Sequence, residues 1–148
     1  MSDLEDLYQE LILDHSRHPR NFGHIEKPTC EAQGYNPLCG DKINLSIKIQ
    51  DGVINDVKFE GSGCAISTAA ASMLTEEMKG KKINEVDPIF QAFHSLVTGS
   101  DKKTDIDLGK LASMEGVKEF PMRVKCATLS WHTLKAALEK KEEIVSTE

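Results

Sequence analysis

The chain has 148 residues, with 18 Lys and Arg against 24 Asp and Glu, and a net charge of −6 at pH 7. Its apolar fraction of 39% and charged fraction of 28% are typical of a globular protein and exclude collagen, a coiled coil and a wholly disordered chain. The acidic balance without a basic stripe argues against nucleic acid as a partner, and no apolar run reaches the roughly 20 residues of a membrane helix. The N-terminus lacks the apolar run of a secretory signal, which predicts a cytoplasmic protein.

The predicted elements run from a helix through a β-hairpin to a series of helices. Apolar residues recur every three or four positions before Pro19, which predicts an amphipathic helix that ends ahead of this proline. Apolar and polar residues then alternate on both sides of the turn-forming pair Asp51-Gly52, the pattern of a β-hairpin. In chain order we predict a helix at 3–17, a weak strand at 31–35, strands at 43–49 and 53–59, helices at 65–79, 88–97 and 108–114, and a last helix from Met122 to about Glu142.

These elements predict a single α+β domain over residues 1–148. A strand-rich first half followed by a helical second half favours a small antiparallel β-sheet packed against several α-helices on one face. A chain of this length buries enough of its surface to fold without disulfides. The sequence contains no internal repeat or long linker that would divide it.

The four cysteines are the residues that point to chemistry. They stand at positions 30, 39, 64 and 126 without a Cys-x-x-Cys pair, so their spacing alone is a weak metal signal. In a reducing cytoplasm, metal binding or thiol chemistry explains them better than structural disulfides. The turn Cys39-Gly40-Asp41 offers a thiolate and a carboxylate two residues apart, and zinc accepts both donors. The alternative for this turn is a loop cysteine beside a solvated aspartate.

Two further cysteines have surroundings that favour a thiolate. Cys64 follows a glycine-rich turn at the predicted start of a helix, where the helix dipole stabilises a negative sulfur. Cys126 lies near the cations Arg123 and Lys125. The alternative for both is a buried cysteine that only packs, with exposed basic neighbours in the second case. Cys30 has no glycine, aspartate or basic neighbour, and we predict a structural role or a spare thiol for it.

With these residues identified, the chain resembles the IscU/SufU family of iron–sulfur cluster assembly proteins over residues 5–138. The resemblance implies the IscU-like α+β fold, which is similar to that of SufE. It also implies that Cys39, Asp41, Cys64 and Cys126 converge on one exposed metal site. It rests on four ordered motifs: His18-Pro19-Arg20-Asn21-Phe22-Gly23, Asn36-Pro37-Leu38-Cys39-Gly40-Asp41, Gly61-Ser62-Gly63-Cys64-Ala65-Ile66-Ser67 and Arg123-Val124-Lys125-Cys126-Ala127.

Two features favour the SufU branch of this family. Between Cys64 and Cys126 stand 61 residues, and SufU-type proteins carry an insertion there, for which residues 85–107 are the candidate. Lys125 occupies the place of a histidine that can serve as a ligand in IscU-type proteins, and a protonated lysine cannot bind a metal. In addition, the chaperone-recognition segment of IscU-type proteins is replaced here by residues 119–123, so recognition by the dedicated chaperone pair is not expected.

Resemblance to the SufU branch implies a zinc-dependent sulfurtransferase that works with a SufS-type cysteine desulfurase, with a SufBCD scaffold as a candidate acceptor downstream. Cys39 would accept sulfur from the persulfide of the desulfurase. A partner side chain such as a histidine would first replace Cys39 on zinc, while the other three ligands hold the metal. Arg123 is a candidate for partner docking or for steadying the anionic sulfur.

Two rival functions stay open at this point. A scaffold protein would assemble a [2Fe–2S] cluster on the same three cysteines and Asp41, and would pass the cluster to an apo-acceptor. A non-catalytic, zinc-stabilised binding domain would only dock on a partner, and it would unfold when any ligand is mutated. Cluster formation and transfer identify the scaffold, whereas special reactivity of Cys39 excludes the non-catalytic domain.

Overall fold

The computed structural model describes residues 3–100, 105–139 and 145–146. No helix in these ranges is long and apolar enough to cross a membrane. The elements follow one another as α1 (Asp3–Arg17), β1 (Cys30–Asn36), β2 (Asp41–Gln50), β3 (Val53–Ser62), α2 (Ala65–Met78), α3 (Ile83–Thr98), a 3₁₀ segment (Gly109–Glu119), α4 (Pro121–Leu138) and β4 (Val145–Ser146).

The strands form a sheet in the order β3-β2-β1-β4. β1, β2 and β3 are antiparallel neighbours, as predicted. Asp51 and Gly52 have φ angles of 53° and 74°, and two successive left-handed residues make the tight turn of the β2–β3 hairpin. β4 pairs in parallel with β1, with Gly34 opposite Val145, so the sheet is not wholly antiparallel. A two-residue pairing between distant segments leaves no local pattern from which it could be predicted.

Helices pack against the sheet, which confirms the predicted α+β fold. Ile43, Leu45 and Ile47 alternate along β2 and are buried, and α4 packs against both β1 and β2. Trp131 of α4 is completely buried, and its ring stacks on that of Phe90 in α3 at a centroid distance of 5.6 Å. This apolar core holds α4 firmly against the sheet and thereby determines where the first turns of α4 lie.

α3 begins well before the predicted residue 88. The side chain of Glu85 accepts the backbone N–H of Lys82 at 3.1 Å, and this cap starts the helix at Ile83. Pro88 therefore lies inside α3. The sequence prediction is wrong here because it treats the proline as the start of the helix.

Two later boundaries also differ from the prediction. The short helix predicted at 108–114 is a 3₁₀ segment that continues to Glu119, and its two glycines lower its propensity for an α-helix. α4 begins one residue before the predicted Met122 and ends at Leu138, with Glu139 as its C-cap. Residues 140–142 of the predicted helix lie outside the described residues.

The motif at 18–23 fastens the segment after α1 to the sheet and to α2. The backbone N–H of Phe59 in β3 donates to the carbonyl of Asn21 at 3.1 Å. Asn21 adopts a left-handed φ of 57°, and its Nδ2 donates to Oγ1 of Thr75 in α2 at 3.1 Å. The rings of Phe22 and Phe59 meet edge to face at 5.3 Å. These contacts give the motif a structural role.

Candidate metal centre

The cysteine-bearing segments meet where the β1–β2 turn faces the starts of α2 and α4. Cys39 lies in this turn, Asp41 is the first residue of β2, and Cys126 lies in the second turn of α4. The Sγ atoms of Cys39 and Cys126 are 3.3 Å apart although 87 positions separate them in the chain. One ligand atom from each of Cys39, Asp41 and Cys126 lies within 4.8 Å of the others. The fold therefore brings three of the four predicted ligands into one cluster.

Cys64 caps the N-terminus of α2 beside this cluster. Its Sγ accepts the backbone N–H of Ser67 at 3.4 Å. Its own backbone N–H donates to Oδ1 of Asp41 at 2.8 Å. Cys64, the fourth predicted ligand, is thus hydrogen-bonded through its backbone to Asp41.

The candidate ligands differ in their access to solvent. Asp41 and Cys126 are completely buried, whereas Cys39 and Cys64 are partly exposed. Cys64 is held by the two hydrogen bonds at the helix cap. Cys39 lies on a turn in which the next residue, Gly40, has a φ of 71° and open space around the position of a Cβ. Cys39 is therefore the ligand that combines access to solvent with room to move.

Asn36 links the cluster to the turn. Its side chain is completely buried, and Nδ2 donates to Oδ2 of Asp41 at 3.1 Å and to Sγ of Cys126 at 3.5 Å. Its Oδ1 accepts the backbone N–H of Leu38 at 3.3 Å. Asn36 is the first residue of the motif that ends at Asp41, but the sequence analysis assigns it no function. In the structure, Asn36 and Asp41 flank the turn as partners in the hairpin register.

The surroundings of Cys126 by themselves favour the neutral thiol. Burial raises the pKa of the Cys126 thiol far above its ordinary value, and the side chains of the other three candidate ligands raise it further. Arg123 is exposed and Lys125 is partly exposed, whereas Cys126 is completely buried. This arrangement matches the alternative interpretation, a buried cysteine with basic neighbours nearer the surface.

The donor set fits a divalent cation. The buried Asp41 carboxylate takes part in no ion pair within the described residues, and its hydrogen bonds come from neutral donors. Burial of acidic groups without an opposite charge is costly, and a bound metal ion supplies that charge. The two sulfurs and one carboxylate oxygen of the cluster are donors that tetrahedral zinc accepts, and the sulfur of Cys64 is the candidate for the fourth position.

Two other residues singled out in the sequence lie outside the cluster. Cys30 is the first residue of β1 and lies at the opposite end of the strand from Asn36. Arg123 is exposed on the first turn of α4. It lines a cavity of about 830 Å³ together with residues of α1, the start of α2 and the 3₁₀ segment, such as Tyr8 and Ile66.

Comparison with known proteins identifies the family to which this arrangement belongs. The family model for NifU-like N-terminal domains matches residues 7–127. The chain is 40% identical over 141 residues to the zinc-dependent sulfurtransferase SufU of Bacillus subtilis strain 168, covering 95% of each chain. It is 37% identical over 140 residues to the iron–sulfur cluster assembly scaffold protein IscU of Streptococcus pyogenes serotype M1, covering 95% of this chain and 87% of the relative.

A solved structure has the same fold. It is that of a protein from Fervidobacterium islandicum AW-1 described as an iron–sulfur cluster assembly scaffold for the SUF system. The two chains are 36% identical with a TM-score of 0.82, over 90% of this chain and 98% of the other. The chain therefore belongs to the family of NifU-like N-terminal domains, the IscU- and SufU-type proteins of iron–sulfur cluster assembly.

Proposed function

We propose that this chain is a zinc-dependent sulfurtransferase of the SufU type, in which Cys39 accepts sulfur from a SufS-type cysteine desulfurase. The observation that carries the proposal is the difference in solvent exposure among the candidate ligands. Cys39 is partly exposed on a turn, whereas Asp41 and Cys126, within 4.8 Å of it, are completely buried. The 40% identity to a relative named as a zinc-dependent sulfurtransferase supports the same assignment.

Cys39, Asp41, Cys64 and Cys126 would hold the metal. Bound zinc keeps its ligand thiols deprotonated and has no redox chemistry of its own. Asp41 and Cys126 are suited to hold the ion throughout because they are buried and share the hydrogen bonds of Asn36. The helix-cap contacts hold Cys64 in the same way.

Cys39 is suited to the transfer itself. Its thiolate attacks the outer sulfur of a persulfide on the desulfurase. A new S–S bond forms between Cys39 and that outer sulfur, the bond between the two persulfide sulfurs breaks, and the cysteine of the desulfurase leaves as a thiolate. Cys39 becomes the persulfide, and the exchange needs no external oxidant or reductant. The open space at Gly40 allows the turn to move Cys39 outwards, and a SufBCD-type scaffold is the acceptor that we expect downstream.

The deciding experiment is desulfurase turnover of cysteine with and without the zinc-loaded protein. We expect strong stimulation, and mass spectrometry should find one added sulfur atom on Cys39. Cys39→Ala should abolish both effects, whereas Cys30→Ala is the matched control and should keep them, because Cys30 lies outside the cluster. Full sulfur transfer by Cys39→Ala would disprove the role of Cys39 as acceptor.

A scaffold function is the second candidate, favoured by the 37% identity to a relative named as an assembly scaffold. In that case a [2Fe–2S] cluster would be the cargo of the same residues, since cysteine thiolates bind such clusters. Anaerobic incubation with iron and sulfide, followed by transfer to an apo-ferredoxin, tests it. A non-catalytic zinc domain is the third reading, and it predicts that Cys39→Ala unfolds the protein instead of selectively blocking transfer.

A further inference from the structure

We propose that Asn36 is a positioning residue of the metal site, whose side-chain amide holds Asp41 and Cys126 as a fixed pair and leaves Cys39 outside its hydrogen bonds. The inference rests on the proposed function, because it explains how the site keeps its metal while Cys39 moves. It concerns metal binding, however, and can be tested without sulfur transfer.

The orientation of the Asn36 amide follows from its partners. Nδ2 has two N–H groups, and they face the Oδ2 atom of Asp41 and the Sγ atom of Cys126. Oδ1 faces the backbone N–H of Leu38. A flipped amide would place its oxygen against a carboxylate and its nitrogen against an N–H donor, so both ends select the observed orientation. The buried amide thus has a partner for each N–H and for its oxygen, as a group that positions others must.

These contacts hold the Asp41 carboxylate at both oxygen atoms. Oδ2 accepts from Asn36 at 3.1 Å, and Oδ1 accepts from the backbone N–H of Cys64 at 2.8 Å. Each carboxylate oxygen can accept more than one bond, so lone pairs stay available for a metal. The carboxylate is therefore orientated before any metal binds. Metal binding then costs less conformational entropy, because this side chain is already ordered.

The bond from Asn36 to Cys126 acts on the sulfur itself. An N–H group directed at a metal-bound thiolate favours its negative charge and fixes its direction, as outer hydrogen bonds do around metal sites. Within the described residues, no hydrogen bond joins Asn36 to the sulfur of Cys39. The amide therefore bonds the two completely buried ligands and not Cys39, which is the distinction that sulfur acceptance at Cys39 needs.

The test compares three variants with the wild type by zinc competition against a chromogenic chelator and by the absorption spectrum of the cobalt(II)-substituted protein. Asn36→Ala removes the amide. Asn36→Asp keeps its shape but replaces the N–H donors with a second carboxylate beside Asp41. Asn55→Ala, at an exposed position on β3, is the control. We expect zinc affinity to fall about 10–100-fold in Asn36→Ala and the cobalt–thiolate bands to shift in both Asn36 variants, while Asn55→Ala behaves as wild type.

A purely structural role predicts a different pattern. If Asn36→Ala lowers the melting temperature of the metal-free protein but keeps the zinc affinity and cobalt spectrum of the wild type, the inference is overturned. Circular dichroism identifies folded samples, and Asn36→Ala decides the matter if Asn36→Asp does not fold. Persulfide formation on Cys39 is followed separately in the wild type. Zinc-loaded wild type that accepts no sulfur contradicts the proposed function but not the positioning role of Asn36.

Discussion

The backbone N–H of Cys64 donates a hydrogen bond of 2.8 Å to Oδ1 of Asp41. This hydrogen bond joins the start of α2 to the start of β2. It depends on Gly63, the residue that precedes Cys64. A Cβ on Gly63 would lie 2.5 Å from the same oxygen. Asp41 cannot move aside freely, because it is completely buried and its other oxygen is bonded to Asn36. The close approach of the Asp41 carboxylate to the start of α2 therefore requires a residue without a side chain at position 63.

Gly63→Ala should accordingly displace the Asp41 carboxylate. We expect zinc affinity to fall at least about tenfold and the free energy of unfolding of the metal-free protein to fall by about 1–3 kcal/mol from overpacking. Chelator competition and urea denaturation measure the two effects. Gly116→Ala is the matched control, since no atom lies within 4 Å of a Cβ there. Equal behaviour of the two alanine variants would contradict this account of Gly63.

Relative to Asp41→Asn, which also removes the uncompensated buried charge but keeps a side-chain oxygen as acceptor, Asp41→Ala should destabilise the metal-free protein. It removes the acceptor for the Nδ2 group of Asn36 and for the backbone N–H of Cys64. Each donor left unsatisfied in the interior costs about 1–3 kcal/mol. Calorimetry of metal-free samples measures this loss.

Zinc should raise the melting temperature of the wild type, because a ligand that binds only the folded state stabilises it, by about 2.7 kcal/mol at a hundredfold excess over Kd. Differential scanning calorimetry with and without zinc measures the effect. We expect a smaller rise for Asp41→Ala because one ligand is missing. A rise equal to that of the wild type would show that Asp41 is not a ligand.

Asn21 provides a test of the structural role of the motif at 18–23. Asn21→Ala removes two side-chain hydrogen bonds, one of 3.1 Å from Nδ2 to Thr75 and one of 2.8 Å from Lys79 to Oδ1. It also places alanine at a φ of 57°. We expect a loss of about 1–3 kcal/mol in urea denaturation. Asn21→Asp keeps an acceptor for Lys79 and should lose less. Zinc affinity should stay within about twofold of the wild-type value in both variants. A variant that keeps its full stability but loses zinc affinity would show that the motif at 18–23 belongs to the metal site.

His15 is a buried titratable group between α1 and α2. Its ring is completely buried, and Nδ1 lies 2.7 Å from Oγ of Ser72, which also accepts the backbone N–H of Arg20. The other ring nitrogen, Nε2, lies 3.5 Å from Oε1 of Glu76. Burial lowers the pKa of His15, with a smaller contribution from Arg20, while Glu76 opposes the shift.

The lowered pKa predicts a loss of stability in acid. The unfolded chain takes up this proton near the ordinary pKa of 6.5, whereas the folded protein does so only at lower pH. The free energy of unfolding should therefore fall as the pH decreases from above 6.5 through the folded-state pKa. Urea midpoints of the metal-free protein across this range measure it. His15→Gln should flatten the dependence.

Local patterns predicted much of the secondary structure. The β2–β3 hairpin follows from Asp51-Gly52 and the alternation around it, because turn chemistry and pleat periodicity act over a few residues. The start of α3 was missed because a capping side chain at Glu85 outweighs the proline signal at Pro88. The pairing of β4 with β1 was missed because it joins distant segments.

The sequence by itself determined the α+β class and the identity of the candidate ligands, and the resemblance carried by four motifs indicated that these ligands converge. Spacing could not show this, since Cys39 and Cys126 are 87 positions apart. Only the tertiary structure decided that Cys126 is buried, that Cys39 is accessible and that Asn36 bonds two of the candidate ligands. The physical reason is that burial and hydrogen bonding depend on how α4 packs on the sheet, a long-range arrangement that no local stretch of sequence encodes.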